Sequence, residues 1–400
     1  MTRKMNSPRW PRLVLVTLLL ALIAPSALSQ DVDSIPFLFR GHLYVPACVE
    51  GSHQANVIYD TGAADMFGVD SVYLLHSDWK PQKIGNAMTG GGGAGKTLVK
   101  IIIGPVKVGI GSIDSEYDMV PIFKLRDVVD CHVDGIWGIK GIEECPFEIN
   151  FEHNFLKRYK NSQPDLDGYE RLPIRYEDDR ILLQAQVVID GKSIKGWYMM
   201  DTGSPSVILT AGTVEDFQME SLSGKRHITD ITQFGIGDKA QEAIVEMQSQ
   251  LIVIGSDTIR NEEISYIPEG VGAFSDRIYL GVIGNDVWSS YNIIIDVSHG
   301  ALYLKRFKEN EPLRPTCGFG FRNRTDIGQG WTVSSLLREG KAAKAGLHLN
   351  DRIIAVNGRL VEEYTWEEEY DIDNYPELTL DVIGTDSITR KMILTPEPKW

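Results

Sequence analysis

Hydrophobic and polar positions follow the same order twice along this chain. The run Leu43-Tyr44-Val45-Pro46-Ala47-Cys48-Val49 turns at Glu50-Gly51 and returns through Asn56-Val57-Ile58-Tyr59. Far downstream, Leu183-Gln184-Ala185-Gln186-Val187-Val188-Ile189 turns at Asp190-Gly191 and returns through Trp197-Tyr198-Met199-Met200. β-Prone runs on either side of a glycine turn predict a hairpin in each place. Later, Gly135-Ile136-Trp137-Gly138 is answered by Gly281-Val282-Ile283-Gly284. Fifteen residues beyond the start of each comes Asn150-Phe151-Glu152-His153-Asn154 or Asp296-Val297-Ser298-His299-Gly300. Asn154 and Gly300 are residue types that accept a left-handed turn, so the same hairpin is expected after both. A unit this long, present twice, predicts two homologous lobes rather than a solenoid. The fold class is mainly β.

Each return strand ends in the same tripeptide, Asp60-Thr61-Gly62 and Asp201-Thr202-Gly203, and the Gly-flanked elements start 75 and 80 residues after the two Asp residues. Two carboxylates in matching settings suit a pair that shares one proton, because neighbouring carboxyls cannot both ionise cheaply. On these motifs residues 35–306 resemble the pepsin/retropepsin group of aspartic peptidases. The resemblance implies a bilobal pepsin-like double β-barrel, with lobes at 35–160 and 170–306. It implies Asp60 and Asp201 as the catalytic dyad, Thr61 and Thr202 as a hydrogen-bonded cross-brace, and Gly62 and Gly203 as points of close backbone approach. Gly138 and Gly284 would pack beneath the loops. Ala63 is the retropepsin-like choice after the first motif, and Ser204 the pepsin-like one after the second. A Ser204 hydroxyl donating to Asp201 would favour its ionised form and leave Asp60 carrying the proton.

Between the first motif and its Gly-flanked element lies Met88-Thr89-Gly90-Gly91-Gly92-Gly93, where the group places its flap. Four consecutive glycines suit a mobile tip whose amides can approach a substrate. Gly90 to Thr97 also satisfies a P-loop pattern through Gly90, Gly95, Lys96 and Thr97. A phosphate cradle needs a helix starting there, whereas the next residues are β-branched and stopped by Pro105, so nucleotide binding is not expected.

Ahead of the repeat, Arg3, Lys4, Arg9 and Arg12 precede the apolar run Leu13–Ala24, and small residues close it at Ala27-Leu28-Ser29. This reads as a signal peptide over 1–29 and an exported chain, periplasmic or secreted, with membrane attachment only if the segment stays uncleaved. The first predicted strand, Ile35–Phe39, follows at once, leaving no space for a removable inhibitory segment. Losing four basic residues takes the net charge from −15 to −19, which argues against nucleic acid and anionic membranes. Among four cysteines, Cys131 and Cys145 bracket the Gly-Ile-Trp-Gly element and are spaced for a local bridge; for Cys48 a buried reduced thiol fits equally. The eight histidines show no metal-ligand spacing with them, so neither metal nor cofactor is expected.

Past a polar, proline-bearing linker at 309–315, the chain reads Gly318-Phe319-Gly320-Phe321, then Ala345-Gly346-Leu347 and Asp351-Arg352-Ile353-Ile354-Ala355-Val356-Asn357-Gly358. Residues 315–398 thereby resemble a small α/β PDZ domain. This implies that Gly318, Phe319, Gly320 and Phe321 bind a peptide carboxylate through a nest of backbone amides, the peptide adding as a strand beside Phe321. A packing role on the second lobe is the other reading. Asn323-Arg324-Thr325 matches a glycosylation acceptor. Together these features predict an aspartic endopeptidase acting on protein or peptide substrates. The alternative is a catalytically silent protein that holds peptides in the same cleft and groove.

Overall fold

The computed structural model describes residues 34–91, 97–233, 235–237, 242–268, 272–275, 277–310 and 312–400. The expected signal segment lies outside them. The chain is mainly β. Its two predicted hairpins form as His42–Val49 with His53–Tyr59, and Arg180–Ile189 with Lys192–Met200. At both turns the acidic residue and the glycine hold positive φ, Glu50 and Gly51 in one and Asp190 and Gly191 in the other. A turn with both central residues at positive φ matches the right-handed twist of the strands it joins.

In the first repeat the hairpin extends into a closed six-stranded barrel. His53–Tyr59 pairs in parallel with Gly135–Trp137, which pairs with Phe67–Asp70. The ring continues through Ile113–Phe123 to Thr97–Ile110, and Cys48 opposite Gly109 closes it. The second repeat follows the same order. Lys192–Met200 pairs in parallel with Gly281–Ile283, then come Val207–Leu209, Glu263–Tyr266 and Glu242–Gln248. Leu251–Ile254 returns to Arg180–Ile189.

A shared sheet joins the repeats. Phe147–Asn150 pairs with Tyr291–Asp296, with Phe155–Arg158 and Ala301–Arg306 outside them. Asn154 and Gly300 both stand at positive φ in the turns of this sheet. One hydrophobic core therefore runs through both repeats, from Leu43, Val57 and Trp137 to Met200, Trp288 and Ile295. Burying side chains of this size contributes roughly 1.5–3 kcal/mol each, so the repeats stabilise each other.

The C-terminal module has its own core, including Cys317, Trp331, Val333, Leu347, Ile353, Leu380 and Leu394. Its strands Phe319–Asn323, Trp331–Leu337, Arg352–Val356, Leu378–Ile383 and Thr389–Leu394 pair in antiparallel fashion. The short helix Trp366–Tyr370 begins at Thr365, whose side chain and that of Glu368 form a reciprocal capping box. No local disulfide forms. All four cysteines are free, because Cys131 faces Thr325 of the C-terminal module while Cys145 is buried in the first repeat. Cys48 is only half-buried.

Candidate active site

Each Asp-Thr-Gly loop leaves a strand that is locked by its parallel neighbour. The amide of Asp60 donates to the Trp137 carbonyl at 2.9 Å, and that of Asp201 to the Ile283 carbonyl at 3.1 Å. The loops then meet through their threonines. The Thr61 hydroxyl donates to the Met200 carbonyl (2.9 Å) and accepts the Thr202 amide (3.0 Å). Thr202 reciprocates to the Tyr59 carbonyl (2.9 Å) and the Thr61 amide (3.0 Å). Both threonines are fully buried, so these four bonds set the loop separation without competition from water.

That brace brings the Asp60 and Asp201 carboxyls together as one interacting pair. Each carboxylate accepts the amide of its own loop glycine, Gly62 at 2.7 Å and Gly203 at 2.9 Å. Each also lies against the glycine of the opposite loop. A Cβ on Gly62 would stand 2.9 Å from the Asp201 carboxyl carbon, and one on Gly203 would overlap the Asp60 carboxyl. Gly138 and Gly284 lie against the carbonyls of Ala63 and Ser204.

Burial first, then the charge of Asp201, holds the Asp60 carboxyl well above the usual carboxylate range. Burial also raises Asp201, opposed by a hydrogen bond from Asp60 and by the amides of Gly203 and Ser204. These directions favour one proton shared by the pair, held more firmly on the Asp60 side. The asymmetry does not come from the Ser204 hydroxyl, which donates to the Ser206 carbonyl at 3.0 Å. The loop after Pro205 folds back and takes that hydroxyl, so it is the Ser204 backbone that serves Asp201.

Above the pair is a cavity of about 420 Å³, lined by Ile58, Met66, Ile136, Met199, Ile208 and Phe274 among others. The hairpin Ile84–Thr89 with Thr97–Ile110 brings Gly90 and Gly91 to it. Thr89 and the exposed Met88 stand on the hairpin arm outside the lining, and Gly92 and Gly93 lie outside the described residues. Because the chain continues as a strand at Thr97, the P-loop match has no helix. Opposite stands a hairpin that sequence reasoning missed. Arg226–Ile231 pairs with Glu242–Gln248, and its end at Gly235-Ile236 lines the same cavity, with Ile236 close to Gly91. Its signal was the repeat itself: Gly90 follows Asp60 by 30 residues and Gly235 follows Asp201 by 34. His42 and Arg322 were missed too. Burial lowers His42 to about 4, leaving a neutral ring.

Phe319, Gly320 and Phe321 line a separate groove of about 250 Å³ with Trp366, Glu369 and Asp373. Gly318 is not a free donor there, since its amide is taken by the Thr316 hydroxyl at 3.0 Å. The far end of the groove is filled by the first repeat. The amide of Cys131 donates to the Asn323 carbonyl (3.0 Å), and the His132 ring stacks on Trp366 at 4.3 Å. The glycosylation match is blocked, because Asn323 is buried and its side chain holds Glu369 and Thr325.

The module also extends the second hairpin as a sheet, with Thr229, Asp230 and Ile231 paired to Leu337, Leu336 and Ser335. Among the described residues no cluster fit to hold a metal occurs, and no helix is long and apolar enough to cross a membrane. The family model "PDZ domain" matches residues 310–373, so the C-terminal module is a PDZ domain. In the comparison with curated proteins nothing matches the chain.

Proposed function

We propose that the chain is an exported aspartic-type endopeptidase, two pepsin-like lobes with a PDZ domain packed on them. The observation that carries this reading is the buried pair Asp60 and Asp201, cross-braced by Thr61 and Thr202 and sharing one proton beneath two hairpins. In this reading Asp201 takes a proton from a water whose oxygen bonds to the scissile carbonyl carbon. Asp60 gives its proton to the carbonyl oxygen. The tetrahedral intermediate then collapses: the C–N bond breaks, the leaving amine takes the proton that Asp201 received, and one hydroxyl proton returns to Asp60. An apolar cavity excludes competing water and strengthens each of these interactions. PDZ domains bind peptides, but here the ladder to the second hairpin and the filled groove end support a packing role beside any peptide capture.

The test is cleavage of an unstructured protein substrate by the full chain and by Asp60→Asn and Asp201→Asn. Loss of hydrolysis by at least about a thousandfold in both is expected, since no single carboxylate can serve as acid and base together. A chain that never cleaves, yet binds peptides equally well with either substitution, would be a silent binder.

A further inference from the structure

The cavity over Asp60 and Asp201 is otherwise uncharged, and one side chain breaks that pattern. Arg322 arrives from the PDZ strand Phe319–Asn323 and lines the cavity together with the two aspartates. Three of its donors are committed, all to neutral acceptors. Nε donates to the Val128 carbonyl (2.8 Å), Nη1 to the Thr232 hydroxyl (2.8 Å) and Nη2 to the Gln233 carbonyl (3.1 Å). Those bonds fix the guanidinium between the first lobe's wall and the base of the second hairpin. A guanidinium has five N–H groups, so two remain.

Among the described residues no carboxylate lies within ion-pair reach of it. Asp127 is felt only at longer range and is opposed by Arg324. Burial brings the group down to about 10, which still leaves it charged at neutral pH. A charge held this way, desolvated and without a counter-ion among the described residues, is costly until a carboxylate arrives.

Resting on the peptidase reading, we propose that Arg322 is a specificity-determining residue of the cleft, selecting substrates with a Glu or Asp side chain near the scissile bond. The PDZ domain is then part of the cleft, and the fixed fork of Arg322 suits bidentate recognition of a carboxylate.

The test uses the full chain carrying Asp60→Asn, which isolates binding from hydrolysis. C-terminally amidated peptides differing only by Glu against Gln at one position, walked along the sequence, are titrated by fluorescence anisotropy. At one register the Glu peptide should bind tighter by roughly tenfold or more. Adding Arg322→Met should bring that ratio to within about twofold. If Arg322→Met does not fold, Arg322→Lys serves, because losing the fork must shrink the ratio. No preferred register in the parent, or a ratio untouched by either substitution, overturns the proposal. Failure of the unmodified chain to cleave, with the Glu preference intact, would overturn the peptidase reading alone.

Discussion

A single hydroxyl carries much of the geometry between the two aspartate loops. Thr61 Oγ1 donates to Met200 and accepts from Thr202, both across the junction and both buried. Thr61→Val keeps the shape but leaves two buried groups without partners, so we expect a loss of roughly 2–5 kcal/mol in chemical denaturation. In the peptidase reading, hydrolysis should fall as well, because the carboxyl separation is no longer fixed. Asp60 behaves in the opposite sense. Its pKa in the fold lies above the unfolded value, so its stability contribution is complete below the unfolded pKa and is lost as pH rises through the raised one. Asp60→Asn escapes that loss. It should match the parent near pH 4 and unfold at clearly higher denaturant at pH 8; an equal gap at both would contradict the raised carboxyl. The two Asp-Thr-Gly motifs were legible because their flanks repeat. The direction of the Ser204 hydroxyl was not, since the Ser206 carbonyl that claims it is placed by the turn at Pro205.

Strands follow the period-two pattern wherever one face is buried, and this made the paired hairpins readable. The glycine hairpin was readable from composition. Its partner across the cavity was not, because Gln233, Gly235, Ile236 and Gly237 do not form a conspicuous glycine run. The pairing of Arg226–Ile231 with the PDZ strand was also hidden, since no local pattern names the partner of an edge strand. This pairing predicts an asymmetry in hydrogen exchange. The Thr232 amide, held by the Ser334 carbonyl at 2.8 Å, and the Arg338 amide, held by Ile228 at 3.0 Å, should exchange slowly. The amides of Gly90 and Gly91 should exchange fast. Comparable rates at the two hairpins would contradict the clamp.

At the scale of the molecule, the PDZ domain is anchored to both lobes by charge as well as by sheet. Arg126 of the first lobe joins Asp134 (2.7 Å) and Asp326 of the PDZ domain (3.1 Å), and sits 3.5 Å from the fully buried Asp70. Arg324 answers with Asp127 and Asp326. On the second lobe, Lys399 bridges Glu246 and Glu263. Arg126→Met removes the guanidinium from Asp134 and Asp70 and leaves Asp326 to Arg324 alone, and we expect a cost of roughly 3–5 kcal/mol in thermal or chemical unfolding. A near-neutral effect would mean the network is solvated. The PDZ signature was legible from Ala345-Gly346-Leu347 and the Asp351–Gly358 run, because those residues build its own core and turns. Its docking was not legible, since every tie joins residues about a hundred or more positions apart in the chain.

The strand Arg226–Ile231 has neighbours on both sides, whereas Ile84–Thr89 pairs on one side only among the described residues. The roof of the cavity thus has one leaf paired along both edges and one paired along a single edge. In the peptidase reading, the singly paired leaf on the side of the first lobe is the one expected to open for both entry and exit. Turnover by such an enzyme would slow with proline at Gly90, at the end of the singly paired leaf, or with added solvent viscosity.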